Sequence, residues 1–283
     1  MEAAGAHQKA AEPVPCCPDQ EAGERLWQHV REEAARDAQE EPLLSSFLYA
    51  SILAHDSFPV CLAFVLSARL ADTTLLPTEL FEVFSGTLAS RPEIVAAALA
   101  DLAAVRQRDP ACRAYSQALL YFKGYHALQT QRIAHALWGA GRRMMATALQ
   151  ARCNEVFAVD IHPAARIGRG VLLDHGTGVV VGATAVVGDN VSILQNVTLG
   201  GTGKESGDRH PKIGDYIAAG SLVLKPVPAH TMVAGSPARE VGRLTGLPAI
   251  RMEQWTECAK QAERAAEREA AAAVSAVPFE YEI

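Results

Sequence analysis

Two residues of the chain have the chemistry of a catalytic acid–base pair. His175 follows Asp174 in the segment LLDHGTG, and Asp160 lies fifteen residues before His175. An imidazole titrates near neutral pH and can serve as a general base, while a neighbouring carboxylate fixes its tautomer and stabilises the imidazolium. Such a pair requires a fold that brings these two positions together. The alternative interpretation of His175 is a solvated corner residue without a catalytic role.

A six-residue repeat predicts such a fold. From Asp160 to Ile213, small or branched apolar residues recur every six positions, in two series separated by a shift of two residues. The leading residues of the hexads are Ile161, Ile167, Leu173, Val181, Val187, Ile193 and Leu199. A period of six fits neither an α-helix nor a half-exposed strand and is typical of a solenoid of short parallel strands. Because three hexads form one coil, Asp160 is expected to stack close to His175.

The repeat and its neighbouring motifs resemble one known family. The motifs are RDPACRAYSQALLYFKGYHALQTQRIAH, DIHPAARIGRGVLLDHGTGVVVG, NVSILQNVTLGGTG, GDRHPKIGD and AGSPAREVG. Together, over about residues 25–245, they are similar to serine O-acetyltransferases of the plant-like cytosolic type, which are hexapeptide-repeat acyltransferases. The resemblance implies transfer of acetyl from acetyl-CoA to L-serine in cysteine biosynthesis. It also implies a direct transfer, with His175 as general base and Asp160 as its orienting partner.

The resemblance further implies residues that hold serine. Asp109 and Asp174 would accept hydrogen bonds from its ammonium group. Arg209 and His210 would also hold serine, with the Arg209 guanidinium donating two parallel hydrogen bonds to the α-carboxylate. Taken singly, Asp109 is equally well explained as a helix-terminal cap before Pro110, and the Arg209–His210 pair as part of a surface loop.

Acetyl-CoA is implied to bind beside small residues. Gly200 and Gly201 would let the coenzyme approach the backbone, with the Gly201 N–H directed at the developing oxyanion. A turn between strand and loop is the alternative for these two glycines. Ala219 and the segment Ser236–Arg239 are assigned to the pantetheine and phosphate path. Acetyl-CoA is expected as a co-substrate, and no permanently bound cofactor is expected.

A zinc site is the alternative for the histidines. β-Helical carbonic anhydrases bind zinc through three histidines on such a scaffold, and His162, His175 and His210 lie in the corresponding region. The sequence contains no H-x4-H spacing, and its six cysteines are scattered without a C-x-x-C motif. We therefore expect no metal.

The first half of the chain is expected to be helical. Apolar residues at helical spacing, with Pro, Ser or Thr at the openings, predict helices that include one over residues 114–151, broken near Gly124 and Gly139–Gly141. The predicted fold is α+β, with an N-terminal all-α domain, a left-handed parallel β-helix of hexapeptide repeats, and a C-terminal helical arm and tail. The expected bounds are 1–20 for a disordered N-terminus, 21–157 for the helical domain, 158–245 for the β-helix and 246–283 for the arm and tail.

One part of the repeat departs from the family pattern. Ile213 and Ile217 are four residues apart where the repeat requires a multiple of six, so the β-helix is expected to be shortened by about one coil. The register would be repaired by a bulge or turn at Tyr216.

The loss of a coil motivates a second hypothesis. If the coenzyme groove were lost, the protein would be a catalytically impaired regulatory or scaffold subunit. It would bind O-acetylserine sulfhydrylase through its C-terminal residue, Ile283. In the resembled family a C-terminal Ile inserts into the active site of that partner enzyme.

Composition excludes several classes of protein. A net charge of −6 and 49% hydrophobic residues argue against a nucleic-acid-binding or disordered chain. No apolar run approaches the roughly 20 residues that a membrane span needs. The N-terminus has acidic residues and no Arg before Arg25, unlike organelle transit peptides, so a cytoplasmic location is expected, with a non-standard plastid signal as the weaker alternative. The expected assembly is a homotrimer or a dimer of trimers.

Overall fold

Helices make up the N-terminal half of the protein. The computed structural model describes residues 20–201 and 207–243. Its α-helices are α1 (Gln20–Glu40), α2 (Ser45–Leu48), α3 (Phe58–Leu70), α4 (Pro77–Ser90), α5 (Pro92–Arg108), α6 (Tyr115–Tyr121), α7 (Lys123–Gly139) and α8 (Arg143–Phe157). A 3-10 turn at Pro42–Leu44 precedes α2, and a π-helical turn at Tyr49–Leu53 follows it.

Sequence signals account for the helix bounds. Proline occupies the first turn of α3, α4 and α5, where its missing N–H leaves no intrahelical bond unmade. The chain breaks at Phe122 and again at Ala140–Arg142, close to the predicted breaks at Gly124 and Gly139–Gly141. Gly124 also allows close packing, since a Cβ there would lie 2.1 Å from the carbonyl oxygen of Leu173. Helix α7 therefore begins directly against the β-solenoid.

Short strands form the second half. They are β1 (Val159–Ile161), β2 (Arg166–Ile167), β3 (Leu172–Leu173), β4 (Val179–Val181), β5 (Val186–Val187), β6 (Ser192–Ile193), β7 (Thr198–Leu199), β8 (Lys212–Ile213), β9 (Tyr216–Ile217), β10 (Leu222–Val223), β11 (Thr231–Ala234) and β12 (Arg239–Arg243). The first face of the solenoid is the sheet β1-β4-β7-β10, and the second face is β2-β5-β8. The third face is β3-β6-β9-β11, and β12 pairs antiparallel with β11 at its edge.

Hexad residues fill the interior of the solenoid. On the first face, Ile161, Val181, Leu199 and Val223 stack in register on successive strands, and all four are buried. The four strands of this face correspond to about four coils. The predicted helical domain followed by a parallel β-helix is therefore confirmed. The β11–β12 hairpin was not predicted, and it covers the last coil with antiparallel pairing.

The coils differ in length. Asp160 pairs with Val180, so the first coil is 20 residues long, whereas Val180 pairs with Thr198 to give a coil of 18 residues. The two-residue shift between the hexad series falls within the first coil. As a result, the residue stacked on Asp160 lies five positions beyond His175, which changes the expected catalytic geometry.

The shortened repeat appears as a tight corner. Strand β8 belongs to the second face and β9 to the third, so the step from Ile213 to Ile217 is one corner of the coil with two residues fewer than a hexad. The turn consists of Gly214 and Asp215. Tyr216 is already the first residue of β9, so the expected repair at Tyr216 was wrong by one to two positions.

A buried ion pair joins the helical domain to the first coil. Asp101 of α5 accepts hydrogen bonds from Arg132 of α7 at 2.7 and 3.0 Å and from Gln129 at 3.0 Å. It also accepts the backbone N–H of Val171 at 2.8 Å, and Arg132 donates to the Ile167 carbonyl at 3.0 Å. Both charges are thus hydrogen-bonded to the solenoid backbone, which fixes α5 and α7 relative to the first coil.

Some predicted features fall in residues 1–19, 202–206 and 244–283, which lie outside the described residues. They include the predicted disordered N-terminus, part of the loop between β7 and β8, and the C-terminal arm with Ile283. None of the described helices is long and apolar enough to cross a membrane.

Candidate active site

His175 lies at an exposed corner of the first coil, between β3 and β4. Its backbone is left-handed, with φ of 57°, and Gly176 and Gly178 follow with φ of 69° and 73°. The imidazole points outward from this turn, and 72% of the His175 side chain is exposed. Its Nε2 lies 3.7 Å from Oδ1 of Asp174. The imidazole is therefore accessible to a ligand and has a carboxylate close to it.

Two carboxylates flank this corner. Asp109 follows the last residue of α5, and its backbone N–H donates to the carbonyl of Val105. Its Oδ1 accepts the N–H of Ala111 at 2.8 Å in the turn that follows the helix. Asp174 is largely buried, and this burial raises the pKa of its carboxyl. His175 opposes that rise in pKa, and the negative charge of Asp109 adds to it. A cation between the two carboxylates would relieve their repulsion, so the arrangement suits an ammonium group.

Asp160, the predicted partner of His175, forms no hydrogen bond or ion pair with it in the described part of the chain. It lies in β1 on the first face, and its Oδ1 accepts a hydrogen bond from Gln150 of α8 at 2.6 Å. Within the described part of the chain, only Asp174 forms an ion pair with His175. The expected stacking is absent because the first coil is two residues longer than assumed and pairs Asp160 with Val180.

Arg209 and His210 lie at the next corner, between the first and second faces. Thr184, in the turn between β4 and β5, accepts the backbone N–H groups of both residues at 3.1 Å. Lys212 donates to the carbonyl oxygens of Thr184 at 2.7 Å and of His210 at 3.2 Å. Burial and the charges of Arg209 and Lys212 lower the pKa of His210. These surroundings therefore favour the neutral form of the His210 imidazole.

Glycines make room for the His210 ring. A Cβ on Gly182 would lie 1.9 Å from Nε2 of His210, and a Cβ on Gly201 would lie 3.0 Å from the same atom. Gly200 is packed against Leu224, whose side chain would lie 3.1 Å from a Cβ at that position. Packing against the His210 ring is thus sufficient to explain why Gly182 and Gly201 have no side chains. Any role of Gly200 and Gly201 toward acetyl-CoA is a proposal.

The remaining predicted residues are dispersed. Ala219 is exposed in the turn between β9 and β10. Residues 235–238 form the turn between β11 and β12, and Arg239 begins β12. These positions follow the tight corner at Gly214 and Asp215, whereas the other described candidates precede it.

The histidines do not form a metal site in the described residues. Across 20–201 and 207–243, no group of three or more His, Cys, Asp or Glu residues is arranged to hold a metal ion. The charge of His162 affects His210, so these two residues are neighbours, but His175 projects from a different corner. His162 Nδ1 accepts the N–H of Ala164 at 3.0 Å, and its ring meets the edge of Trp138 at 5.0 Å.

The candidate residues form two clusters at different corners of the coil. We refer to Asp109, Asp174 and His175 as the acidic half-site, and to Thr184, Arg209 and His210 as the basic half-site. The first face of the solenoid separates them, because the acidic half-site precedes β4 and the basic half-site lies beside the turn that follows β4. Within the described residues of one chain, the two clusters therefore lie at different corners.

Sequence reasoning missed three residues that hydrogen-bond to the candidate site residues. Gln150 binds Asp160, and Thr184 and Lys212 bind the backbone around His210. Thr184 is the fourth residue of its hexad and was visible only as a polar residue in a turn. Its contact with His210 spans an inserted loop, so the hexad period alone could not predict it.

Comparison with known proteins establishes the family. The family model described as "Serine acetyltransferase, N-terminal" matches residues 26–130. Serine acetyltransferase 4 of Arabidopsis thaliana is 55% identical over 237 residues, covering 77% of this chain and 67% of the relative. The soybean serine acetyltransferase complexed with serine is 51% identical with a TM-score of 0.73, covering 77% of this chain and 98% of that one. The serine acetyltransferase of Brucella abortus strain S19 in complex with coenzyme A is 44% identical with a TM-score of 0.74, covering 78% and 96%. The chain therefore belongs to the serine acetyltransferase family.

Proposed function

We propose that the protein is a serine O-acetyltransferase, which converts acetyl-CoA and L-serine to O-acetyl-L-serine and CoA in cysteine biosynthesis. The observation that carries the proposal is the pair Asp109 and Asp174 beside the exposed imidazole of His175. The paired carboxylates suit the ammonium of an amino acid, and His175 would then be near a hydroxyl on the adjacent carbon. The serine held by the soybean relative and the coenzyme A held by the Brucella relative support both substrates.

In the proposed mechanism His175 is the general base. Its neutral imidazole takes the proton from the serine hydroxyl as the oxygen attacks the thioester carbon. The N–H of Gly201 stabilises the oxyanion of the tetrahedral intermediate. The intermediate then collapses, the carbon–sulfur bond breaks, and the CoA thiolate takes up the proton from the imidazolium. Asp174, 3.7 Å from Nε2, stabilises the imidazolium while it exists.

We propose that Asp160 orients the His175 ring in the substrate complex. Because most of the imidazole is exposed, packing does not hold it in the described orientation. Catalytic hydrogen bonds are often long or absent in unliganded enzymes and tighten when the substrate binds. The proposal requires the ring to turn toward β1, and Gln150 holds the Asp160 carboxylate in place for it.

The proposed transfer is direct, without an acetyl-cysteine intermediate. Cys61, Cys112 and Cys153 are buried free thiols. Burial raises the pKa of Cys61 and Cys153 to about 12 and that of Cys112 to about 11. Since the thiolate is the nucleophilic form, none of these three residues is suited to carry the acetyl group at neutral pH.

We propose that the complete site forms between neighbouring β-helices of a homotrimer or a dimer of trimers. In a ring of identical chains, rotation places one corner of each chain against a different corner of the next. The acidic half-site of one chain would then face the basic half-site of its neighbour. Val180 of β4 and Leu224 after β10 are large apolar residues exposed by 39% and 37%, which supports a protein contact on this part of the solenoid.

The shortened solenoid keeps both half-sites. All of their residues precede the tight corner at Gly214 and Asp215, and only Ala219 and Ser236–Arg239 of the predicted coenzyme path follow it. The position of the tight corner therefore favours an active enzyme over the scaffold hypothesis.

The test is serine-dependent release of CoA from acetyl-CoA, followed with a thiol reagent. His175→Asn is the appropriate variant because Asn tolerates the left-handed backbone at this position. We expect kcat to fall by about 10²- to 10⁴-fold, the usual contribution of a general base, with an unchanged Tm. His29→Asn, at an exposed position on α1, is the matched control.

Two outcomes would contradict the proposal in different ways. Full turnover by the His175→Asn protein would exclude His175 as the base. A wild-type protein that captures O-acetylserine sulfhydrylase but releases no CoA would support the scaffold hypothesis instead. Deleting Ile283 tests the proposed partner contact separately, since the capture should then be lost. The cytoplasmic location stays a prediction.

A further inference from the structure

We propose that Thr184 is a positioning residue that fixes His210 as a neutral hydrogen-bond donor and holds the Arg209–His210 pair toward the carboxylate of serine. This inference rests on the proposed function and adds a residue to its basic half-site. Thr184 does not itself touch the reacting atoms. It acts through the backbone and side chain of the segment that ends the loop between β7 and β8.

The hydroxyl oxygen of Thr184 is fully used. It accepts the N–H groups of Arg209 and His210, each at 3.1 Å, so both of its lone pairs are engaged. Only its proton is left to donate. The acceptors in reach are Nδ1 of His210, at 2.8 Å from the oxygen, and the carboxylate of Asp208. The hydroxyl therefore fixes the position of two consecutive loop residues.

The backbone of Thr184 determines the tautomer of His210. Its N–H donates to His210 Nδ1 at 3.3 Å, and a backbone N–H cannot reverse its role as donor. Nδ1 is therefore an acceptor without a proton, whichever way the hydroxyl points. In a neutral imidazole the proton then resides on Nε2.

His210 is partly exposed, and its Nε2 lies beside Gly182 and Gly201 at the solenoid corner. The Nε2 atom occupies the space of a side chain at Gly182, and that direction is outward because the preceding residue, Val181, points into the core. His210 thus offers an N–H donor at the surface where the proposed cleft forms. A donor at Nε2 suits a carboxylate and is unsuited to abstracting a proton, which leaves His175 as the base.

Contacts of Lys212 should keep the segment from Asp208 to His210 attached to the solenoid when the Thr184 hydroxyl is removed. Its Nζ donates to the carbonyls of Thr184 and His210 and to Asp208 Oδ1, at 2.7, 3.2 and 2.5 Å. These contacts involve no atom of the Thr184 side chain. We therefore expect a variant at Thr184 to fold with its loop attached, while Arg209 and His210 lose the acceptor for their N–H groups.

The experiment compares Thr184→Val, which keeps the shape, with Thr184→Ser, which keeps the hydroxyl. We expect Thr184→Val to raise the KM for serine about tenfold, within the range of about 5- to 150-fold set by unsatisfied donors, with a smaller change in kcat. The KM for acetyl-CoA should stay constant, and Thr184→Ser should remain within about twofold of wild type. Thr147→Val is the matched control, because that exposed hydroxyl bonds only to Arg143 of its own helix.

The outcomes separate a positioning role from a structural one. An unchanged serine KM in Thr184→Val would overturn the inference while leaving the proposed function intact. Equal losses in Thr184→Val and Thr184→Ser, with a lower Tm, would also overturn it, since the hydroxyl would not be responsible. If Thr184→Val does not fold, the smaller Thr184→Ala variant gives the same comparison. A wild-type protein without serine-dependent CoA release would overturn both proposals.

Discussion

Replacing Asp174 by Asn tests whether the acidic half-site binds the ammonium group of serine. The substitution keeps the shape of the side chain and removes one of two neighbouring carboxylates. Hydrogen bonds to charged groups contribute about 1.5–3 kcal/mol, so the KM for serine should rise by about 10- to 150-fold. The KM for acetyl-CoA should change little, because the proposed contact is with serine alone.

The same substitution should lower kcat by a smaller factor. At 3.7 Å, the attraction between Asp174 and a protonated His175 is about 1 kcal/mol at the dielectric constant of water and about 4.5 kcal/mol at an effective value of 20. Because 72% of the His175 side chain is exposed, we expect a value toward the lower end, about 1–2 kcal/mol. This corresponds to about a 5- to 30-fold fall in kcat.

The effect on stability should have the opposite sign. Burial and the charge of Asp109 raise the pKa of Asp174 in the folded protein. A carboxyl with a raised folded pKa stabilises the fold at low pH, and this contribution is lost as the pH rises through the folded pKa. At pH 7 the ionised group therefore carries a cost that Asn does not have, and the Tm of Asp174→Asn should equal or exceed that of wild type.

Steady-state kinetics and thermal unfolding at pH 7 check these expectations together. Asp56→Asn, at an exposed position in the helical domain, is the control for loss of a negative charge. A lower Tm with an unchanged serine KM would refute the reasoning, since Asp174 would then be a structural residue.

Three further substitutions test other parts of the account. Asp160→Asn should lower kcat by about tenfold or more if Asp160 orients the base in the substrate complex; a change below about twofold would assign that role to Asp174. Arg209→Lys should raise the serine KM about tenfold without lowering the Tm, because lysine cannot replace the two-pronged donor; an unchanged KM would exclude Arg209 from carboxylate binding. Asp101→Asn leaves the buried Arg132 charge unpaired, so the free energy of unfolding should fall by about 3–5 kcal/mol, and the Tm by roughly 10 °C. A loss below about 1 kcal/mol in denaturant titrations would contradict the importance of this ion pair.

The repeating parts of the fold were predictable because each hexad carries its own signal. The inward residues Val181 and Leu199 are separated by three hexads, a spacing typical of a solenoid, and they stack on neighbouring strands. Proline at the first turns of α4 and α5 likewise gave the helix starts from local chemistry alone.

The catalytic geometry was less predictable because it depends on exact coil lengths. Two additional residues in the first coil move the partner of Asp160 to Val180. The hexad series places this shift between Leu173 and Val181, but the expected stacking of Asp160 on His175 assumes three regular hexads per coil. The contact of Thr184 with His210 depends on where an inserted loop returns to the solenoid. In the β11–β12 hairpin, β12 pairs with the last strand of the third face. The hexad pattern predicts the parallel strands of the coils but not an antiparallel strand at the edge of the sheet.

Mixed oligomers test most directly the central claim that half-sites from two chains form one active site. The His175→Asn chain keeps an intact basic half-site, and the Arg209→Ala chain keeps an intact acidic half-site. At a serine concentration far below the KM of the Arg209→Ala variant, each variant alone should be nearly inactive. In oligomers assembled from equal amounts of both, about one interface in four joins two intact half-sites, so activity should return to about a quarter of wild type. Activity no greater than the sum of the separate variants, in oligomers shown by two affinity tags to be mixed, would contradict the account.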